Sequence, residues 1–96
     1  MRLEFSSFVE SDLDDIATHI AHDNPRRAVT FIKTLRMKFH DIQRNPLLYR
    51  LRPDIGEEAR LVTVGRYAIL FRIIEDIVRI ERVAYGPRDL PTALDR

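Results

Sequence analysis

Arginine and tyrosine crowd the stretch from Arg60 to Arg88 of this 96-residue chain: Arg60, Arg66, Tyr67, Arg72, Arg79, Arg82, Tyr85 and Arg88. A guanidinium presents a rigid fork of donors that grips carboxylate or phosphate bidentately. Two chemistries follow. Such a set can steady the charge of a phosphorane-like transition state, or it can pair with an acidic partner segment. The first also needs a general base, and none is evident. Glu81 is nearest in sequence, but strand alternation sets it opposite Arg82 and alongside Arg79, where a cross-strand ion pair is the expected role. No catalytic residue is assigned. Arg66, Tyr67, Arg72, Arg79, Arg82, Tyr85 and Arg88 are the candidate contacts to a target or partner protein. Tyr67 has a second reading, as a core residue that opens a strand on the same face as Ile69 and Phe71.

Other chemistries find less support. Asp15, His19, His22 and Asp23 can share one side of a helix, the nearest approach to a metal cluster. No further ligand set accompanies them, and acids suit a helix start, so they read as a solvated face. His40 stands alone. Gly56, Gly65 and Gly86 all fall in turns, so there is no glycine-rich phosphate loop. The absence of cysteine removes disulfides and thiolate metal sites. Neither a metal nor a cofactor is expected.

The elements that must position these residues are legible as periods. Residues 2–5 alternate and read as a strand. Ser7 and Glu10 have the spacing of a capping box, followed by an apolar stripe of Val9, Leu13, Ile16, Ala17 and Ile20. Asn24 and Pro25 suit the N-cap and first position of a second helix, whose stripe is Ala28, Ile32, Leu35, Phe39 and Ile42 and which stops at Asn45-Pro46. Two helices so closely joined form an antiparallel hairpin. Residues 46–58 have no period and read as a long connecting loop. Three runs rich in β-branched and aromatic residues follow, 59–64, 67–74 and 77–85, joined by Gly65-Arg66 and Glu75-Asp76, connections short enough to require antiparallel neighbours. From Gly86 the tail turns away from the sheet. The expected fold is α+β, β-α-α-β-β-β: an N-terminal strand and a helical hairpin packed on an antiparallel sheet. One sheet face carries Tyr67, Ile69, Phe71 and Ile73 toward the helices. The other carries Ala68, Leu70 and Ile74, interrupted by Arg72, and needs a cover, either residues 46–58 or a partner chain.

The length fits one domain, residues 1–96. Net charge is +1, whereas a dedicated phosphate-backbone binder usually carries a larger basic excess. Acids dominate residues 7–24, bases dominate 25–45, and beyond residue 45 every basic residue is arginine. No run is apolar enough for a secretory signal or a membrane span. A cytoplasmic protein is the expectation.

The run Val64-Gly65-Arg66-Tyr67-Ala68-Ile69-Leu70-Phe71-Arg72 resembles the "VGRYLIFYR"-like segment of ParE-type toxins in the RelE/ParE superfamily. The run from Arg82 to Pro91, RVAYGPRDLP, resembles their closing "RVLHGARDLP"-like segment. Asp23-Asn24-Pro25, the basic second helix and Asn45-Pro46 also look like that family, so the resemblance spans nearly the whole chain. It implies the toxin of a type II toxin–antitoxin system, with roles in growth regulation and plasmid stabilisation. The implied partner is a ParD-like antitoxin whose ribbon-helix-helix part binds operator DNA, so that DNA is reached only indirectly, in a hetero-oligomeric complex. ParE-type members poison DNA gyrase; RelE-type members cleave mRNA on the ribosome. Tyr85 stands where many members have His, and Leu90 stands near the place of a C-terminal tyrosine used in cleavage. Tyrosine is a weak acid–base group at neutral pH, with a reference pKa near ~10. This favours a gyrase-directed protein over a ribosome-dependent endonuclease, with an inactive toxin that serves only operon autoregulation as a third reading.

Overall fold

The computed structural model describes residues 1–86. Strand β1 (Arg2–Phe5) leads into helices α1 (Val9–Ala21) and α2 (Pro25–Arg44). A 3-10 turn (Pro46–Leu48) and a short strand β2 (Arg50–Leu51) follow, then β3 (Ala59–Val64), β4 (Tyr67–Ile74) and β5 (Ile77–Tyr85). The sheet order is β1-β5-β4-β3-β2. The three long strands have the bounds expected from their composition and are antiparallel to one another. Strand β1 is not: it joins β5 in parallel, with Leu3 opposite Val78 and Phe5 opposite Ile80, so the sheet is mixed. Parallel neighbours need a long connection, and the whole hairpin together with β2, β3 and β4 separates these two.

The helical hairpin lies on one sheet face. Val9, Leu13 and Ile16 of α1 and Phe31, Leu35, Phe39 and Ile42 of α2 pack with Tyr67, Ile69, Phe71, Val78, Ile80 and Val83 in one core. Each such side chain contributes about 1.5–3 kcal/mol when fully buried. Helix α2 starts as expected: Asn24 is its N-cap, and the Asn24 Oδ1 accepts a 3.1 Å hydrogen bond from the Arg27 amide, with Pro25 next in line. Its stripe is rotated slightly from the expected one, since Phe31 is buried and Ile32 only half-buried. The Ser7–Glu10 capping box does not form. Phe8 occupies the N-cap of α1 with no side-chain cap. Ser6 does the turning instead, its Oγ accepting from the Phe8 amide and its carbonyl from the Val9 amide. Glu10 forms a bidentate pair with Arg36 across the hairpin, which holds the Glu10 carboxyl below its usual range.

Residues 46–58 are more ordered than a period-free loop. Tyr49 packs edge-on to Phe71 at 5.8 Å, and β2 adds a fifth strand through pairs Arg50–Leu61 and Leu51–Arg60. Two residues are too few to show a period of two. The same segment covers the second sheet face: buried Ile55 packs on Ala59, Ala68 and Leu70, with Leu61 and Ala84 at the margin. The tight turns use positive φ at their first residue, +60° at Gly65 and +56° at Glu75. Gly65 fits the turn that starts this way without a steric penalty.

Because Ile55 is buried in this cover, truncating it to Ala lowers the free energy of urea unfolding by roughly 2–3 kcal/mol. Replacing exposed Leu48 with Ala leaves stability within about 0.5 kcal/mol. Asn24→Ala costs about 1 kcal/mol through loss of the cap.

Candidate functional site

Among the described residues the sequence-predicted arginines separate into three settings. Arg82 is the most enclosed of them. Its Nε and Nη2 each donate to Asp12 at 2.9 Å, one to each carboxylate oxygen. Its guanidinium also lies 4.6 Å from the centre of the Phe8 ring. Asp12 accepts a further bond, at 3.0 Å, from the Val83 amide. The pair holds the Arg82 pKa above its ordinary value, chiefly through the hydrogen bonds to Asp12. Asp12 lies in the first turn of α1, where the helix dipole favours an acid. The composition showed only an acidic helix start. Yet Val9, Asp12, Leu13 and Ile16 share one helical stripe, and a carboxylate on an apolar stripe calls for a buried cationic partner.

Arg72 and Arg79 sit directly opposite each other on β4 and β5. Like charges in that relation repel. The register shifts between Leu70 and Phe71, which pair with Arg82 and Ile80, so Glu81 is the extra residue of a β-bulge. The buried Glu81 carboxylate then bridges both guanidinia: Arg72 Nε donates to Oε2 at 2.7 Å and Arg79 Nε to Oε1 at 3.2 Å. Glu4 adds a 3.7 Å ion pair to Arg79. The cross-strand ion pair expected of Glu81 is present, with Arg72 of β4 as the partner, and Arg79 on the same strand as Glu81 joins it.

The third setting is open. Arg66 is exposed in the turn after Gly65, while Tyr67 is buried at the start of β4. Tyr67 stands edge-on to Tyr85 at 5.3 Å and tilted on Phe31 at 5.3 Å. Tyr67 is thus both a core residue and part of a surface groove. One cavity of about 520 Å³ runs from Asp12 and Arg82 past Asp15, Ile16 and His19 to the tyrosines. A second, also about 520 Å³, continues from His19 and the tyrosines to Asp23, Asn24, Arg27, Phe31 and Arg66. Burial pushes the Tyr67 phenol up from its ordinary pKa, and the neighbouring Tyr85 adds to this. His19 and Asp15, expected on a solvated face, line this groove. Arg88, with Asp89 and Leu90, lies outside the described residues.

Chemically, Arg72, Arg79 and Arg82 already hold carboxylates, and Arg60 donates to the Tyr49 carbonyl at 2.6 Å. Glu81, the one base candidate singled out by sequence, is enclosed by two guanidinia. The groove instead offers aromatic surface with cations at its rim, an arrangement suited to binding.

Two outcomes test this assignment. Asp12→Ala strands a partly buried guanidinium and an amide, so it lowers stability by about 3 kcal/mol in urea unfolding. Adding Arg82→Met to that variant restores a measurable part, which a double-mutant cycle records. For Tyr67 the native state resists ionisation. Its stabilising contribution is therefore complete below pH ~10, the unfolded value, and falls as pH rises from there toward the higher folded value. Tyr67→Phe should flatten that alkaline loss in a pH series of unfolding curves; an unchanged slope would show that Tyr67 is not the group responsible.

Over residues 3–90 the chain matches the family model described as the ParE toxin of type II toxin-antitoxin system, parDE. No curated protein matches the sequence. Among solved structures it is similar to a chain of the chromosomal ParDE toxin–antitoxin system from P. aeruginosa, with TM-score 0.78 and 20% identity over 90% of this chain and 96% of that one. It is also similar to a chain of the RelBE2 toxin–antitoxin complex from Mycobacterium tuberculosis, with TM-score 0.60 and 24% identity over 88% and 95% of the two chains. At such identities these likenesses speak for the fold, an α+β arrangement of a helical hairpin on a mixed five-stranded sheet. With the family model spanning nearly all of it, the chain belongs to the ParE toxin family, the toxin component of type II toxin–antitoxin systems.

Proposed function

We propose that this toxin acts in the cytoplasm on DNA gyrase, by binding rather than by cleaving RNA. We propose further that a cognate ParD-like antitoxin with a ribbon-helix-helix DNA-binding part neutralises it. One observation carries the first choice. The arginines best placed for phosphoryl chemistry are joined to carboxylates of the chain itself, Arg82 to Asp12 and Arg72 and Arg79 to Glu81. To stabilise a developing phosphorane they would first have to release those partners, at a cost of several kcal/mol for a partly buried pair. The near-neutral charge agrees, since binding to ribosomal RNA gains from a basic excess. Tyr85 agrees also, being half-exposed where a nuclease of this superfamily would keep His.

In this reading Arg66 and Tyr85 contact the target, and Tyr67 supports Tyr85 from below. Arg72 and Arg79, each only about one-third exposed at the side chain, offer their remaining donors to the antitoxin. Arg82 acts through the placement of α1. Plasmid stabilisation and growth control follow from such a pair when the antitoxin is lost faster than the toxin.

The decisive assay mixes purified toxin with gyrase and plasmid. Inhibited supercoiling with accumulation of cleaved DNA is expected, and Arg66→Ala should weaken it while leaving the melting temperature unchanged. Normal supercoiling at every ratio, together with cut ribosome-bound transcripts, would replace this reading with the nuclease one.

A further inference from the structure

The groove changes character along its length. At the Asp12 end its charges are paired internally. At the other end, under the β3–β4 turn, Arg27 and Arg66 line the cavity, and neither takes part in an ion pair among the described residues. Both are placed by the fold. The Arg27 guanidinium lies 5.3 Å from the centre of the Phe31 ring, a cation–π contact that leaves its hydrogen-bond donors unused. Arg66 follows Gly65, where a Cβ would lie 3.7 Å from Phe31, so the turn rests against α2. Beside them Tyr85 is held edge-on by Tyr67 and is 48% exposed, which leaves ring surface open to the cavity it lines.

Two guanidinia without an ion pair among the described residues, an aromatic ring half-exposed among them and a volume of about 520 Å³ match the requirements of one small ligand class. Arginine forks suit phosphate oxygens, every nucleobase has a face that stacks on tyrosine, and pockets of small-molecule size run from about 300 to 1,000 Å³. We propose that this end of the groove binds a nucleotide unit, its phosphate between Arg27 and Arg66 and its base on Tyr85. Among the described residues Asp23 is the one acid lining this end, so their local balance is positive and favours a phosphate over a neutral ligand. The unit is either a free mononucleotide or an unpaired nucleotide of a nucleic-acid strand. The assignment goes beyond the gyrase reading and does not rest on it, since it concerns the isolated toxin.

The test is calorimetric and NMR titration of the purified chain with AMP, ribose 5-phosphate, a short single-stranded oligonucleotide and a tetraglutamate peptide. AMP should bind and shift the amides of Arg66 and Tyr85. Arg27→Gln and Arg66→Gln should each weaken it by about tenfold, and Tyr85→Leu by roughly fivefold or more, with Tyr85→Phe retaining the stack. These are surface positions, and unchanged melting temperatures confirm intact folds. An oligonucleotide that binds more tightly than AMP assigns the unit to a strand; equal binding assigns it to a free nucleotide. Ribose 5-phosphate that binds as well as AMP, with no effect of Tyr85→Leu, would reduce the site to a bare anion contact and overturn the proposal. So would AMP binding unaffected by either arginine change, the absence of AMP binding, or tetraglutamate that binds more tightly than AMP.

Discussion

Strand β1 ends at Phe5, opposite Ile80, while β5 continues to Tyr85, so β5 would leave an open edge beneath the helices. Unpaired backbone groups at a sheet edge are costly when buried. Ser6 and Asp12 close that edge in sequence. The Ser6 amide donates to the Ile80 carbonyl, its hydroxyl to the Glu81 carbonyl, and Asp12 receives the Val83 amide. Because Asp12 belongs to α1 and also holds Arg82, one carboxylate fixes the angle at which the hairpin meets the sheet. The Tyr67–Tyr85 groove lies along that junction, and its shape depends on the same contact.

The β-bulge at Glu81 works with this joint. Before it, Val78 and Ile80 face the helices; after it, Val83 takes up that face again. The extra residue lets Arg82 reach α1 while Glu81 turns to the opposite face to neutralise Arg72 and Arg79. The second face is thereby divided. One part is apolar and covered by Ile55; the other is a charged network of Glu4, Arg72, Arg79 and Glu81. A sheet carrying this many arginines stays close to neutral because its carboxylates are interleaved in space. What remains for external ligands is concentrated at the groove, where Arg27 and Arg66 have no such counterpart among the described residues.

Much of this fold is legible in the sequence where a period is long enough to declare itself. The three long strands, the two helices and the Asn24 cap all follow from spacing and residue type. The parallel placement of β1 is not legible, because four residues specify a strand and no neighbour. Strand β2 is hidden for the same reason. The Ser7–Glu10 spacing misled because Ser6 was already engaged by β5, a contact between residues far apart in sequence. The candidate site was legible as a set of residue types and illegible as an arrangement. Alternation alone cannot foresee a bulge, and it was the bulge that sent Arg82 to Asp12 and joined Glu81 to both arginines. Asp12 itself carried a usable signal, an acid on an apolar stripe.

The joint at Asp12 is the element on which both the groove and the committed state of Arg82 depend. Native-state hydrogen exchange of the Val83 amide probes it directly, because that amide has a side-chain carboxylate as its acceptor rather than a strand neighbour. The structure predicts protection equal to that of the core β4 amides of Ile69 and Phe71, with exchange only on global unfolding, and loss of that protection in Asp12→Ala, which removes the acceptor. Exchange of Val83 at the rate of a frayed edge amide in the unaltered protein would contradict the account.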